Sequence, residues 1–241
     1  MKNKRGAARS HRKSGPARIA MTDVDLNGMN DPLVVSELSE TQNRSGRFRV
    51  AINGVTVGDL TLDFVADAGV REGRILERLQ AVEILHAVDR TAVLDKALDL
   101  LAVRARSSRD LSMRLRRAGA RDPDISWAVA RLESQGFVDD AAYARGVARA
   151  KTLGGGVSRR KVITVLRQKG IAADVAAEAM DDTLADVSLD EYGAALAAAQ
   201  KRMRALSSLE PAKRRQRLYA FLARRGYETD VVRRVMTEVL R

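Results

Sequence analysis

Residues 107–119 read SSRDLSMRLRRAG, and the same spacing returns as SRRKVITVLRQKG at 158–170 and as RRQRLYAFLARRG at 214–226. Each copy places two apolar residues four apart and a glycine four further on: Leu111, Leu115 and Gly119, then Val162, Leu166 and Gly170, then Leu218, Leu222 and Gly226. Apolar side chains four apart share one helix face, and a following glycine suits the left-handed turn that ends a helix. We therefore predict one amphipathic helix with its stop signal in each copy.

The spacing of the three glycines sets the size of the repeated unit. They are 51 and 56 residues apart, which leaves room for about three short helices of roughly 11–12 residues per unit. Repeated helical units bury their apolar faces against neighbouring units, so the sequence predicts a mainly α chain that forms a short solenoid. We place three-helix repeats at 91–135, 136–183 and 189–241. A long repeated surface suits binding of a polymer better than housing a reaction.

Two of the three copies also carry a signal for the start of the helix. Ser107 or Ser108, and Ser158 one repeat later, stand where a side chain can accept hydrogen bonds from free backbone N–H groups. The third copy has Arg214 at this position, and 210–211, which is Glu-Pro, is predicted to open its second helix instead. The cap is therefore not shared by all three repeats.

The composition excludes several classes of protein. The chain has 241 residues, 45% of them apolar, no cysteine and two histidines, so thiolate chemistry, disulfides and zinc sites are not expected. It contains no run of about 18 apolar residues, and its first twenty residues lack an apolar segment. We expect a cytoplasmic monomer with no membrane segment, no metal, no cofactor and no catalytic residues.

The net charge of +12 is concentrated at the two ends of the chain. Residues 1–18 carry seven Lys/Arg and no acid, and residues 201–241 carry twelve Lys/Arg against four acids. The segment between them is slightly acidic, with 24 basic and 27 acidic residues. Net charge alone therefore does not indicate nucleic-acid binding by the whole chain.

The N-terminal region differs in composition from the repeats. Residues 1–46 mix Lys, Arg, Ser, Asn, Gly and Pro around one short apolar run, which predicts a disordered basic tail. Two other interpretations stay open: a translation start at Met21, and a mitochondrial transit peptide, although no apolar amphipathic face is evident. For 47–88 we predict a small β-hairpin, turning at Asn53-Gly54, followed by a helix over 75–85 that leads into a separate long helix over 91–106.

Basic residues recur in the second helix of each repeat. Seven residues separate Arg109 from Arg116, Arg160 from Arg167, and Arg217 from Arg224. Each pair therefore shares a face turned away from the leucines. A basic residue in the last turn also favours the helix dipole by about 0.3–1 kcal/mol, but Arg109 and Arg160 stand in the first turn, where the dipole disfavours them. We predict a partner-binding set of Arg109, Arg116, Arg117, Arg159, Arg160, Arg167, Lys169, Arg217 and Arg224.

The junction between the first two repeats reads GFVDDAAYA at 136–144. Gly136 is predicted to end one helix, Phe137 to pack the junction with Val138, and Asp139 or Asp140 to cap the next helix. Two adjacent aspartates could also serve acid–base chemistry or a metal, but capping explains them more simply because no other acid or histidine converges with them in sequence.

This junction and the repeated spacing resemble the RecX family of bacterial regulatory proteins. The residues that carry the resemblance cover about 91–241 and are these: Ala97-Leu98-Asp99-Leu100-Leu101, Arg106-Ser107-Ser108-Arg109-Asp110-Leu111 with Leu115, Gly136-Phe137-Val138-Asp139-Asp140 with Tyr143, and Leu166-Arg167-Gln168-Lys169-Gly170. The resemblance implies three tandem three-helix repeats in an elongated arc. It also implies a modulator that binds the RecA–DNA filament and reduces the recombinase, ATPase and co-protease activities of RecA, and so regulates DNA repair and the SOS response. Any contact with single-stranded or duplex DNA would come through that filament.

Two other functions fit the residues themselves. Three-helix units with basic second or third helices also occur in helix-turn-helix DNA-binding proteins. A structural adaptor that binds only protein is the other alternative, and its association would be insensitive to salt.

Overall fold

A computed structural model describes residues 19, 22–29, 31–42, 44–186 and 190–241, and at 153–155 it describes only the backbone. The basic stretch 1–18 and Met21 lie outside the described residues. The chain forms two compact units, one of Met1–Asp99 with Met113–Ala128 and the other of Leu100–Ser112 with Val129–Arg241. Within the described part of the chain, no helix is both long and apolar enough to cross a membrane.

The first unit contains an antiparallel sheet whose four strands are ordered β3-β2-β1-β4. The strands are β1 (Leu33–Glu40), β2 (Arg47–Ile52), β3 (Val55–Thr61) and β4 (Ile75–Leu76), after a 3₁₀ turn at Leu26–Gly28. Asn53 and Gly54 join β2 to β3 with φ of 47° and 81°, the positive values that a tight hairpin turn requires. The predicted hairpin is confirmed, as part of a larger sheet.

Strand β1 corrects the predicted extent of the disordered tail. It lies within 1–46, yet it pairs with both β2 and β4, and Leu33 and Val35 are buried. Only the first three residues of the strand form an apolar run. All of the remaining five except Leu38 are polar, and backbone pairing to β2 holds this part of the strand. Composition does not report such pairing, because it depends on a partner strand elsewhere in the chain.

The helix that follows the sheet is also longer than predicted. After the short α1 (Leu62–Asp67), a single helix α2 runs from Arg78 to Val103 over 26 residues. The predicted helices over 75–85 and 91–106 are therefore one, since no proline or glycine interrupts the chain between them. Ile75 belongs to β4 instead. Ala81, Ile84 and Val88 of α2 pack into the core beneath the sheet.

The predicted three-helix repeats are confirmed. The first consists of the C-terminal part of α2 with α3 (Ser108–Arg117) and α4 (Asp122–Ser134); the second of α5 (Asp140–Gly155), α6 (Arg159–Gln168) and α7 (Ala173–Asp186); and the third of α8 (Glu191–Arg204), α9 (Pro211–Arg224) and α10 (Thr229–Val239). The second and third repeats each have their own apolar core.

The repeated spacing has the structural role that the sequence predicts. All six apolar residues of the three copies are fully buried, and each second helix ends two residues before its glycine. Gly119, Gly170 and Gly226 have φ of 97°, 89° and 87°, a left-handed conformation that glycine adopts without steric cost. Helix α9 starts one turn earlier than its counterparts, so Arg214 lies inside the helix and not at its cap.

Candidate functional site

A junction links the second helices of successive repeats and occurs twice. Its first example starts at Ser107. The Ser107 Oγ accepts a hydrogen bond of 3.2 Å from the N–H of Asp110 and thereby caps α3. The same hydroxyl donates a hydrogen bond of 2.7 Å to the carbonyl oxygen of Lys169, the residue that follows α6. The buried Ser107 side chain therefore hydrogen-bonds both to a free backbone N–H at the start of α3 and to a free carbonyl oxygen at the end of α6.

The next pair of repeats uses the corresponding residues. Ser158 caps α6 by accepting a hydrogen bond of 3.3 Å from the N–H of Lys161. Its backbone N–H donates a hydrogen bond of 3.1 Å to the carbonyl oxygen of Arg225, the residue that follows α9. In both junctions the positive N-terminal end of one helix meets the negative C-terminal end of the next, which is the favourable arrangement of helix dipoles.

The glycine of the repeated spacing makes this close approach possible. A methyl group on Gly170 would lie 2.5 Å from the Cβ of Arg109, and one on Gly226 would lie 2.8 Å from the Oγ of Ser158. Carbon atoms in proteins do not approach so closely. Gly170 and Gly226 therefore have two functions: they end a helix, and they leave room for the first turn of a helix in the preceding repeat.

The junctions explain the first-turn arginines that the helix dipole disfavours. The side-chain carbons of Arg109 lie against Gly170. Arg160 occupies the same position one repeat later, and its Nη1 forms an ion pair of 3.3 Å with Glu228, the residue that precedes α10. Both arginines are exposed at their ends, but each is already used in contacts between repeats.

Two further members of the predicted partner-binding set are paired with acids. Arg116 forms a hydrogen-bonded ion pair of 2.6 Å with Asp122 at the start of α4. Arg159 donates to both carboxylate oxygens of Asp181 on α7, at 2.8 and 2.9 Å. Such exposed pairs contribute only about 0–1 kcal/mol to stability, but they reduce the charge that these arginines present to a partner.

The remaining cations of the set are free to bind. Among the described residues, no acid pairs with the side chains of Arg117, Arg167, Lys169, Arg217 or Arg224, and all of these except the half-buried Lys169 are exposed. The faces are not in register across the repeats. Arg167 precedes its glycine by three residues and Arg224 by two, which rotates the latter by about 100° around the helix axis.

The 136–144 junction supplies the predicted helix cap, and its second aspartate makes a contact that the sequence did not predict. Gly136 ends α4 with φ of 73°, and Asp139 caps α5 by accepting from the N–H of Ala142 at 2.8 Å, as predicted. Asp140 instead caps α3: it accepts from the N–H of Ser108 at 2.8 Å and from its hydroxyl at 2.7 Å. Sequence reasoning missed this contact because the two residues are 32 positions apart.

Phe137 differs from its prediction. Its prediction as a packed junction residue is wrong, because 60% of the residue is exposed. Val138 takes the inside position at 3% exposure, and Tyr143 packs partly buried against the core of the second repeat. A single exposed phenylalanine is common on protein surfaces, so a substitution is needed to show whether Phe137 contacts a partner.

Several ionisable groups in the third repeat have raised pKa values, among them Glu191 and Tyr227. Burial raises the pKa of Glu191, with a smaller contribution from Glu228, whereas the nearby Arg159 lowers it. Burial raises the pKa of Tyr227 to about 12. Its hydroxyl is buried without a hydrogen-bond partner among the described residues.

In the part of the chain that the structure describes, no three His, Cys, Asp or Glu residues gather as they would around a metal ion. The candidate site consists of repeated helix ends and arginines.

Family comparisons agree with the repeats in number, order and position. The first three-helix domain of RecX matches residues 94–132, the second matches 139–180, and the third matches 190–236. Together these matches cover more than half of the chain. This chain belongs to the RecX family.

Relatives with curated names lead to the same family. Regulatory protein RecX from Amycolatopsis mediterranei is 33% identical over 143 residues, which cover 59% of this chain and 80% of that protein. Regulatory protein RecX from Prosthecochloris aestuarii is 30% identical over 152 residues, covering 63% and 96%. RecX proteins are thus named as regulators, in line with a binding surface.

Solved RecX structures share the fold. A crystal structure of regulatory protein RecX matches with a TM-score of 0.66 at 20% identity, covering 85% of this chain and 99% of that one. RecX from Lactobacillus salivarius matches with a TM-score of 0.51 at 19% identity, covering 63% and 96%. The first match extends well beyond the repeats, which alone cannot fill 85% of the chain.

Proposed function

We propose that this RecX protein binds the RecA–DNA filament and reduces the ATPase, strand-exchange and co-protease activities of RecA. The observation that carries the proposal is a set of exposed, unpaired arginines on the second helices, represented in the second unit by Arg167, Arg217 and Arg224. A filament repeats its subunits along an axis. A partner with repeated helices can contact more than one of them at once.

The junctions support this proposal because hydrogen bonds connect the second helices of successive repeats. Ser107 and Ser158 each join the start of one second helix to the end of the next, so the arginines on α6 and α9 are carried by connected helices. Preorganised contacts bind more tightly, because less conformational entropy is lost on association. A binding surface distributed over two repeats also gains effective concentration once one repeat has bound.

The experiment is a titration of RecA ATPase on single-stranded DNA with this protein. We expect ATP hydrolysis to fall in a saturable manner, and the protein to sediment with preformed RecA filaments. Binding should weaken with salt, since arginines that contact phosphates or carboxylates are screened. Unchanged ATP hydrolysis, together with sequence-specific binding to bare duplex DNA, would instead establish a helix-turn-helix DNA-binding protein.

A further inference from the structure

A cleft lies between α9 and α10 in the third repeat. Two pockets lie along α9 here, one of about 380 Å³ and a larger one of about 550 Å³. The larger one, hereafter the α9–α10 cleft, is lined by Arg215, Gln216 and Tyr219 from α9 and by Arg233, Met236 and Thr237 from α10. No carboxylate lines it within this described stretch. Tyr219 is 49% exposed and lines the cleft.

The corresponding place in the second repeat is closed by an ion pair. Counted back from the helix-ending glycine, Arg215 corresponds to Arg159; counted forward, Thr237 corresponds to Asp181. Arg159 is held by Asp181 at 2.8 Å. In the third repeat the acid is replaced by a threonine, and Arg215 has no acidic partner among the residues that the structure describes.

Two other differences between the repeats add a cation and an aromatic ring to the third repeat. At the position of Ala177 the third repeat has Arg233, and at the position of Ile163 it has Tyr219. Residues 159–186 carry five basic and five acidic residues, whereas 211–239 carry eight basic and three acidic ones. The fold of the two repeats needs none of these changes, because the buried Val162/Leu166 and Leu218/Leu222 pairs serve both cores equally.

The geometry points to a ligand with negative charges next to a flat ring. We propose that the α9–α10 cleft binds single-stranded nucleic acid directly, with a base stacked on Tyr219 and backbone phosphates at Arg215 and Arg233. Aromatic side chains that stack bases, flanked by cations that follow the backbone, are the general means of binding single strands. In a duplex the bases are already stacked and paired, so a tyrosine within a cleft does not reach them.

This inference goes beyond the proposed function, because it requires no RecA. An acidic protein segment would satisfy the two arginines equally well, but it would not use the ring of Tyr219. A substitution of Tyr219 therefore distinguishes single-stranded nucleic acid from an acidic protein segment as the ligand. Failure of RecA inhibition and failure of this cleft to bind DNA are also separate results, since each is measured in a different assay.

The test is fluorescence anisotropy of a labelled oligothymidylate with full-length protein, without RecA, over a series of salt concentrations. Tyr219→Ala is expected to weaken binding by about 5- to 150-fold, because base–aromatic stacking contributes about 1–3 kcal/mol per base. Tyr219→Phe keeps the ring and should bind like the wild type. Arg215→Gln and Arg233→Gln should each lower the slope of log K against log salt by about 0.7.

The matched control is Arg159→Gln in the second repeat, which removes the same charge at the corresponding but ion-paired position. It should leave both affinity and salt slope unchanged. Equal binding by wild type and Tyr219→Ala, with unchanged circular dichroism, would overturn the proposal. So would preference for duplex over single strands, or binding of a poly-glutamate peptide in place of the oligonucleotide.

Discussion

The hydroxyl of Ser107 donates a 2.7 Å hydrogen bond to the carbonyl oxygen of Lys169, 62 residues later in the chain. It connects the start of α3 to the end of α6, and Ser158 makes the corresponding connection to Arg225 after α9. The repeated leucine and glycine spacing thus does more than shape individual helices. It builds a joint that recurs between successive repeats, with the side-chain carbons of Arg109 against Gly170 in the first example.

The joint predicts that Gly170 tolerates substitution less well than a comparable glycine. In Gly170→Ala the new methyl group would contact the side-chain base of Arg109 at 2.5 Å. We expect the free energy of unfolding to fall by about 1–2 kcal/mol for the left-handed backbone and by about 1–3 kcal/mol more for the overlap. Urea unfolding followed by circular dichroism measures this loss.

The control for that measurement is Gly136→Ala. Gly136 has a similar φ of 73°, but nothing lies within 4 Å of the position that a methyl group would take. This variant should lose only the backbone contribution. Equal losses in the two variants would mean that the contact between Arg109 and Gly170 is unimportant for stability.

The second prediction concerns Asp140, which caps a helix in the preceding repeat. Asp140→Ala removes the acceptor of two hydrogen bonds from Ser108 and should destabilise the protein by about 1–2 kcal/mol. Asp182→Ala, an exposed aspartate on α7, should change stability by no more than about 0.5 kcal/mol. If Asp140→Ala were as stable as Asp182→Ala in thermal unfolding, the capping role would be refuted.

A third prediction follows from the buried hydroxyl of Tyr227. Its pKa is raised to about 12, so the folded state holds the proton more tightly than the unfolded state does. The resulting stability is present below the ordinary tyrosine pKa near 10 and is lost as the pH rises towards 12. Tyr227→Phe has no ionisable hydroxyl at this position, so its stability should not show this loss at high pH.

The measurement compares the urea midpoints of wild type and Tyr227→Phe from pH 8 to pH 12. At pH 8 the variant should equal or exceed the wild type in stability, because an unpaired buried hydroxyl is removed. Its advantage should grow by on the order of 2 kcal/mol by pH 12. Parallel curves for the two proteins would show that the Tyr227 proton is not linked to folding.

The local features of this fold could be predicted from the sequence, whereas contacts between distant elements could not. Leucine spacing and glycine position report on a single helix, and they located α3, α6 and α9 correctly. A cap by Asp139 or Asp140 was likewise predicted from the neighbouring residues alone, and Asp139 supplies it. The tie between Ser107 and Lys169, in contrast, depends on packing between repeats, which no local pattern encodes.

The same distinction explains the errors. Strand β1 is held by pairing with β2, whose residues come later in the chain, so its short apolar run among polar residues resembled a disordered segment. Phe137 was expected inside because it is apolar, but only one residue after the Gly136 turn enters the core, and Val138 takes that place. For the basic set, the sequence identified the arginines but not which of them the fold had already paired.

The exposure of Phe137 leads to a fourth prediction. Phe137→Ser should leave thermal stability within about 0.5 kcal/mol, as is usual for exposed positions, yet it should weaken inhibition of RecA. Val138→Ser, at the adjacent buried position, should instead destabilise the protein by about 1–3 kcal/mol. Full inhibition by a stable Phe137→Ser variant would remove this residue from the proposed contact surface.

The central claim, that unpaired arginines on the second helices bind the RecA filament, is tested most directly by RecA ATPase on single-stranded DNA. The titrant is the combined variant Arg167→Ala, Arg217→Ala and Arg224→Ala, compared with Arg145→Ala, Arg149→Ala and Lys151→Ala, which removes the same charge from exposed positions on α5. The account predicts that the first variant requires at least about tenfold more protein for half-maximal inhibition, whereas the second inhibits like the wild type. Equal inhibition by all three proteins, at unchanged helicity, would contradict it.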